Sequence, residues 1–127
     1  MNIKETAQAI HQINKDKGFW DKERNTGELL MLVTSELAEA LEADRKGWVA
    51  DKQRMQILQK DCNWEDNKAV LKNVFDSDIK DTFEDEIADA VIRLFDLAEG
   101  MNIDLEFHIK HKMEYNQTRE RLHGKAY

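Results

Sequence analysis

Three features of the chain predict an all-α fold. It has no proline and only five glycines in 127 residues, so little interrupts a long helix. Apolar residues recur at three- and four-residue spacing over most of its length, and no strand-like alternation competes with that period. The length suits one domain, residues 1–127, built as a four-helix-type bundle with short extra helices inserted at about 47–78.

The elements follow in order. Ile3, Ala7, Ile10 and Ile13 predict a first helix over 3–17, ended by Gly18. Phe19 to Gly27 is irregular and carries Trp20. A second helix covers 27–46, with Lys46-Gly47 as a C-terminal cap pattern. The stretch 48–78 mixes polar and apolar residues without a clean period. Short helices are expected there near 51–60 and 65–75, parted by Asp61-Cys62-Asn63 and anchored by Trp48 and Trp64. A further strong helix spans 79–99 and ends at Gly100. Asp104 is placed to cap a last helix over 105–121, and Gly124 opens a loose basic tail.

The two strongest helices each carry an acidic pair in an unexpected place. The pairs are Glu36-x-x-Glu39 and Glu86-x-x-Asp89. On a helical wheel with Glu36 at zero, Leu29 falls at about 20°, Ala40 at about 40°, Val33 at about 60° and Leu37 at about 100°. With Glu86 at zero, Ile79 and Leu97 fall at about 20°, Ala90 at about 40°, Phe83 at about 60° and Ile87 at about 100°. Both acids therefore sit within apolar arcs, and each has a second carboxylate one turn on. The two helices are expected to run antiparallel and to face each other across the core. Ionised carboxylates resist leaving water unless a cation compensates them. A metal ion is one such cation; a buried network with Lys or Arg is the other. Glu42, Glu84 and Asp85 read as surface charges.

Composition narrows the chemistry. The net charge is −7, and no basic stripe suggests a nucleic-acid partner. No apolar run reaches membrane-spanning length and no signal peptide is evident, so no membrane partner is expected. The single cysteine, Cys62, leaves no internal disulfide, and a cytoplasmic setting is the expectation. Four carboxylates without an adjacent histidine suit hard cations with oxygen ligands, Mg²⁺ or in its place Mn²⁺, rather than the Glu-x-x-His pairs of di-iron bundles. Such cations suit polyphosphate chemistry. Lys112, Asn116 and Arg119 share one face of the last helix and can meet phosphate oxygens or a base edge. A solvated basic face near a helix end is the alternative. Arg93, one turn beyond Asp89, can reach a phosphate or neutralise Asp89.

The chain resembles the MazG-like group of all-α nucleoside triphosphate pyrophosphohydrolases over nearly its whole length. The residues that carry the resemblance are Lys17-Gly18-Phe19-Trp20-Asp21, Asn25-Thr26-Gly27-Glu28-Leu29-Leu30 and Ser35-Glu36-Leu37-Ala38-Glu39-Ala40-Leu41-Glu42. Asp85-Glu86-Ile87-Ala88-Asp89-Ala90-Val91-Ile92-Arg93, Lys112 to Arg119 and His123-Gly124-Lys125 complete it. The stretch Gly47–Asp78 departs from compact members of the group as an insertion between the acidic helices.

The resemblance implies hydrolysis of a nucleoside or deoxynucleoside triphosphate between its α and β phosphates, giving the monophosphate and pyrophosphate, for nucleotide pool control or house-cleaning. It implies Mg²⁺ held by Glu36, Glu39, Glu86 and Asp89; in the mechanism this suggests, Glu39 or Glu36 is the carboxylate expected to orient or deprotonate the attacking water. It places Lys112 and Asn116 at the phosphates or sugar, with Arg119 assisting; Arg93 is a substrate-contact candidate from its helical position alone. Trp20 is a candidate for stacking on the base, with His11 nearby; packing of the helix 1–2 link is the competing role for Trp20. A homodimer or homotetramer is implied as well. The alternative is a non-catalytic, metal- and nucleotide-binding regulatory protein, and a purely structural bundle with buried acid–base pairs is a third reading.

Overall fold

The structure, a computed structural model, describes residues 2–126. Among these are six α-helices and no strand: α1 (Ile3–Asp16), α2 (Thr26–Lys46), α3 (Gln53–Asp61), α4 (Lys68–Asp78), α5 (Phe83–Gly100) and α6 (Leu105–Gln117). A short 3₁₀ turn, Arg121–Gly124, follows α6. No helix among the described residues is long and apolar enough to cross a membrane. The chain divides into two compact units, one of residues 25–93 and one of the segments before and after it.

The caps expected at Asp104 and Gly47 form, and two more appear at Asn2 and Asn25. The side chains of Asn2, Asn25 and Asp104 accept the backbone N–H groups of Glu5, Glu28 and Phe107, which satisfies donors that a helix start leaves open. Gly47 closes α2 at φ +69°, a left-handed conformation that suits a residue without a side chain.

Within residues 25–93, α2 and the first part of α5 run antiparallel. Phe83 N–H donates to the Trp48 carbonyl at 3.0 Å, and Ala50 N–H donates to Glu84 Oε2 at 2.9 Å. Toward the other end Arg93 bonds Glu36. Residue numbers thus rise along one helix as they fall along the other. The 48–78 stretch folds as a helical hairpin with an apolar centre of its own: Met55, Leu71 and Val74 are buried, and Leu58, Phe75 and Ile79 pack against them. Arg54 ties its two arms by donating to both oxygens of Asp78 and to Ser77 Oγ. That contact, with the Ser77 hydroxyl, holds the Asp78 carboxyl at about 2, below the usual carboxylate range.

In the other unit α1 and α6 pack together, and Lys4 N–H donates to Glu106 Oε2 at 3.1 Å. The inward face of α1 differs from the apolar count. Ala7 is buried and Ile10 partly so, but Ile13 is exposed, and the polar residues His11 and Asn14 turn inward beside it. Both bond the buried Asp96.

Two helix boundaries differ from expectation. The helix predicted from residue 79 begins at Phe83, and α4 runs on to Asp78. Asp81 takes a left-handed φ of +61°, which breaks the period. Thr82 Oγ1 then accepts Asp85 N–H, and Asp85 Oδ2 accepts Asp81 N–H, so a new start is capped. Ile79 therefore belongs to the hairpin centre and not to the α5 face. The last helix stops at Gln117 and not at residue 121. Thr118 Oγ1 donates to the Tyr115 carbonyl, and Arg119 N–H bonds only three residues back.

Candidate metal centre

The acidic residues enter the site through the regular turn of α2 and α5. The buried stripe of α2 is Leu29, Val33, Glu36, Ala40 and Ala43, steps of four and three residues, so a carboxylate occupies the middle of an apolar row. Glu36 is 7 % exposed. On α5, Glu86 is 5 % exposed and follows the same rule, with Ala90 buried one turn on. Asp89, three residues after Glu86, shares its face. Glu36, Glu86 and Asp89 can each offer one ligand atom so that all three atoms lie within 4.8 Å of one another. Glu39 is exposed and stands outside this trio. It lines an adjoining cleft of about 210 Å³ with Glu86, Lys46 and Trp48.

The electrostatics of the trio are unbalanced. Arg93 Nε donates to Glu36 Oε1, one cation for one carboxylate. Glu86 has no hydrogen-bond or ion-pair partner for its side chain among the described residues. Burial first, and then the charges of Glu39, Asp89, Glu36 and Asp85, push its carboxyl up to about 7. The Asp89 carboxyl is raised by burial and by Asp85 and Glu36, and Arg93 partly offsets this. A concentration of carboxylates with one internal cation is a site that gains from a further positive charge.

No family model, curated protein or solved structure matches the chain.

The site residues predicted from the sequence fall into both units. Glu36, Glu39, Glu86, Asp89 and Arg93 lie within residues 25–93, and Trp20, Lys112, Asn116 and Arg119 belong to the other unit. Arg93 contacts Glu36 and not Asp89, the neighbour expected from helical spacing. Lys112 Nζ and Arg119 Cζ stand 5.0 and 5.8 Å from the centre of the Tyr115 ring. Arg119 lies past the end of α6, beyond regular helical register. The Oδ1 atom of Asn116 is buried and lacks a hydrogen-bond donor.

Trp20 is held on several sides. Its Nε1–H donates to both oxygens of Asp96, at 2.9 and 3.1 Å. The His11 ring meets it edge-on at 4.9 Å, and Arg24 lies 5.6 Å from its centre. A β-carbon on Gly100 would come within 2.4 Å of the indole, so only glycine leaves room there.

Asp96 was missed at the sequence level. It is 6 % exposed and receives hydrogen bonds from the side chains of His11, Asn14 and Trp20. The signal was available: Asp96 is an acid inside the apolar run of α5, the same feature that marked Glu36. A carboxylate only accepts, so the Nδ1 of His11 is the donor in this contact.

Proposed function

We propose that the chain is a divalent-cation-dependent nucleoside triphosphate pyrophosphohydrolase of the MazG-like group and shares that group's four-helix-type fold. The observation that carries this reading is Glu86: a carboxylate 5 % exposed, without a donor or cation of its own among the described residues, whose ligand atom lies within 4.8 Å of those of Glu36 and Asp89. The pairing of Arg93 with Glu36 would by itself suit a buried ion-pair network. Glu86 is left over in that network, and the donor set of carboxylate oxygens fits Mg²⁺, with Mn²⁺ as a substitute.

Glu36, Glu86 and Asp89 would hold the cation, with Glu39 joining from the neighbouring turn of α2. A cation there supplies charge neutralisation for a triphosphate and acidifies water. Glu39 or Glu36 takes the proton of the attacking water. The water oxygen bonds to the α-phosphorus, the bond from that phosphorus to the bridging oxygen breaks, and pyrophosphate leaves. The resemblance assigns Lys112, Asn116 and Arg119 to the phosphates or sugar and Trp20 to the base; the unpaired Oδ1 of Asn116 suits a ligand contact.

A panel of canonical and modified triphosphates, assayed for pyrophosphate with and without magnesium, tests the reaction. Release that requires magnesium is expected, and Glu39→Gln should lower it by about 10³-fold or more with an unchanged circular dichroism spectrum. Full turnover by that variant would remove Glu39 from the mechanism. Cation-dependent thermal stabilisation without any turnover would select the regulatory protein instead.

Self-association is part of the proposal. Leu30, Leu37 and Leu41 on α2 and Phe83, Ile87 and Val91 on α5 are all exposed, Leu37 to 50 %, although Leu37, Phe83 and Ile87 were expected in the core arcs. Apolar faces of this extent suit a homodimer or homotetramer. Leu37→Glu should lower the mass measured by light scattering to that of the monomer. A wild-type chain that is already monomeric at high concentration would count against the assembly.

A further inference from the structure

We propose that Arg93 is the internal counter-ion of the acidic centre, and that a divalent cation gains the Oε1 atom of Glu36 only by displacing it. This rests on the metal-binding reading above. Arg93 Nε donates to Glu36 Oε1, and the carboxylate end of the pair is 9 % exposed while the arginine side chain is 39 % exposed. The buried partner is therefore fixed and the arginine is the one free to move. Arg93 lies four residues after Asp89 and seven after Glu86 on α5, so it overhangs the same face from which a cation would be held. Oε1 of Glu36 is the oxygen Arg93 already holds, so a metal ion that takes that atom has to displace the guanidinium.

Two consequences follow. The cation sees only the fraction of molecules in which Glu36 is released, so its affinity is lowered by that fraction. The arginine set free has five N–H donors in a planar fork and stands beside the centre, where an oxyanion delivered with the cation can take it up. Loading thus has an order: the cation first, then Arg93 onto the anion.

The test uses the intact chain and no substrate. Titration calorimetry with Mn²⁺ should show that Arg93→Met binds roughly tenfold more tightly than the wild type at the same stoichiometry. Lys46→Met removes an equal charge beside Glu39 without touching Glu36, and should change affinity far less. In the wild type, the Arg93 Nε–H cross-peak, identified by its absence from Arg93→Lys, should shift as Mg²⁺ saturates the protein.

Unchanged or weaker Mn²⁺ binding by Arg93→Met would overturn the proposal. So would an Arg93 signal that stays in place while Mg²⁺ binds, and that measurement decides the matter if Arg93→Met does not fold. Failure of either ion to bind any of these proteins would overturn the metal reading and this inference with it. Binding that is lost in Glu86→Gln while the Arg93 signal never moves would leave the metal reading standing and remove the displacement alone.

Discussion

At pH 8 without divalent cations, Glu86→Gln should unfold at a higher temperature than the wild type. Glu86 is buried among other carboxylates, and its proton is held to about pH 7 in the folded chain. In the unfolded chain a glutamate releases its proton near pH 4.3. Between those values the native state binds the proton and the unfolded state does not, so native stability is greatest below the unfolded value and falls as pH rises toward 7. At roughly 1.4 kcal/mol per pH unit, the loss approaches about 4 kcal/mol by pH 8. The raised Asp89 carboxyl acts in the same sense. Asp78, held low by Arg54, acts in the opposite sense and only in acid, below the usual range of an unfolded aspartate.

Thermal melts from pH 5 to 8 should therefore slope downward for the wild type and run nearly flat for Glu86→Gln. Magnesium should restore the wild type in the alkaline half and leave the variant unmoved, because a neutral amide is a poor ligand for a hard cation. A wild-type curve that is flat without metal would show that the Glu86 charge is already compensated.

The second large effect is structural. Asp96→Ala should destabilise the protein by about 3 kcal/mol or more, read from urea unfolding. Asp96 gathers the Nδ1–H of His11, the Nδ2–H of Asn14 and the Nε1–H of Trp20 at one buried carboxylate. Alanine removes every acceptor at once and leaves three part-buried polar donors without a protein partner. Asp96→Asn keeps the shape and one acceptor oxygen, so its loss should be smaller. Equal losses for the two variants would mean that packing, and not hydrogen bonding, matters at this position.

Much of this arrangement was legible in the sequence because it rests on the helical period. Glu36 and Glu86 stand out as acids in apolar rows, and such a row must turn inward wherever it sits. The Asp104 cap was legible for a similar reason, since a short polar side chain at a helix start has one obvious use. What escaped depends on contacts between distant segments or on a single backbone angle. The left-handed turn at Asp81 moved the start of α5 and sent Ile79 to another cluster, and nothing in the spacing of 79–99 announces it. Helical neighbours pointed Arg93 at Asp89, but the opposite helix offered the buried Glu36. Asp96 was overlooked although it carries the mark of the other two acids; its partners come from the first helix and the loop after it, far away in the sequence. The exposure of Leu37, Phe83 and Ile87 shows the limit of a wheel: it marks an apolar side without saying what covers it.

The border between the two compact units falls inside α5, between Arg93 and Leu94. Arg93 and Asp96 are less than one turn apart on the same rod, yet one serves the acidic centre and the other anchors Trp20. No flexible linker exists at that point for a protease to cut or for recombination to exploit. An insertion of even one residue there would turn the remaining turns of α5 by about 100° against those that carry Glu86 and Asp89.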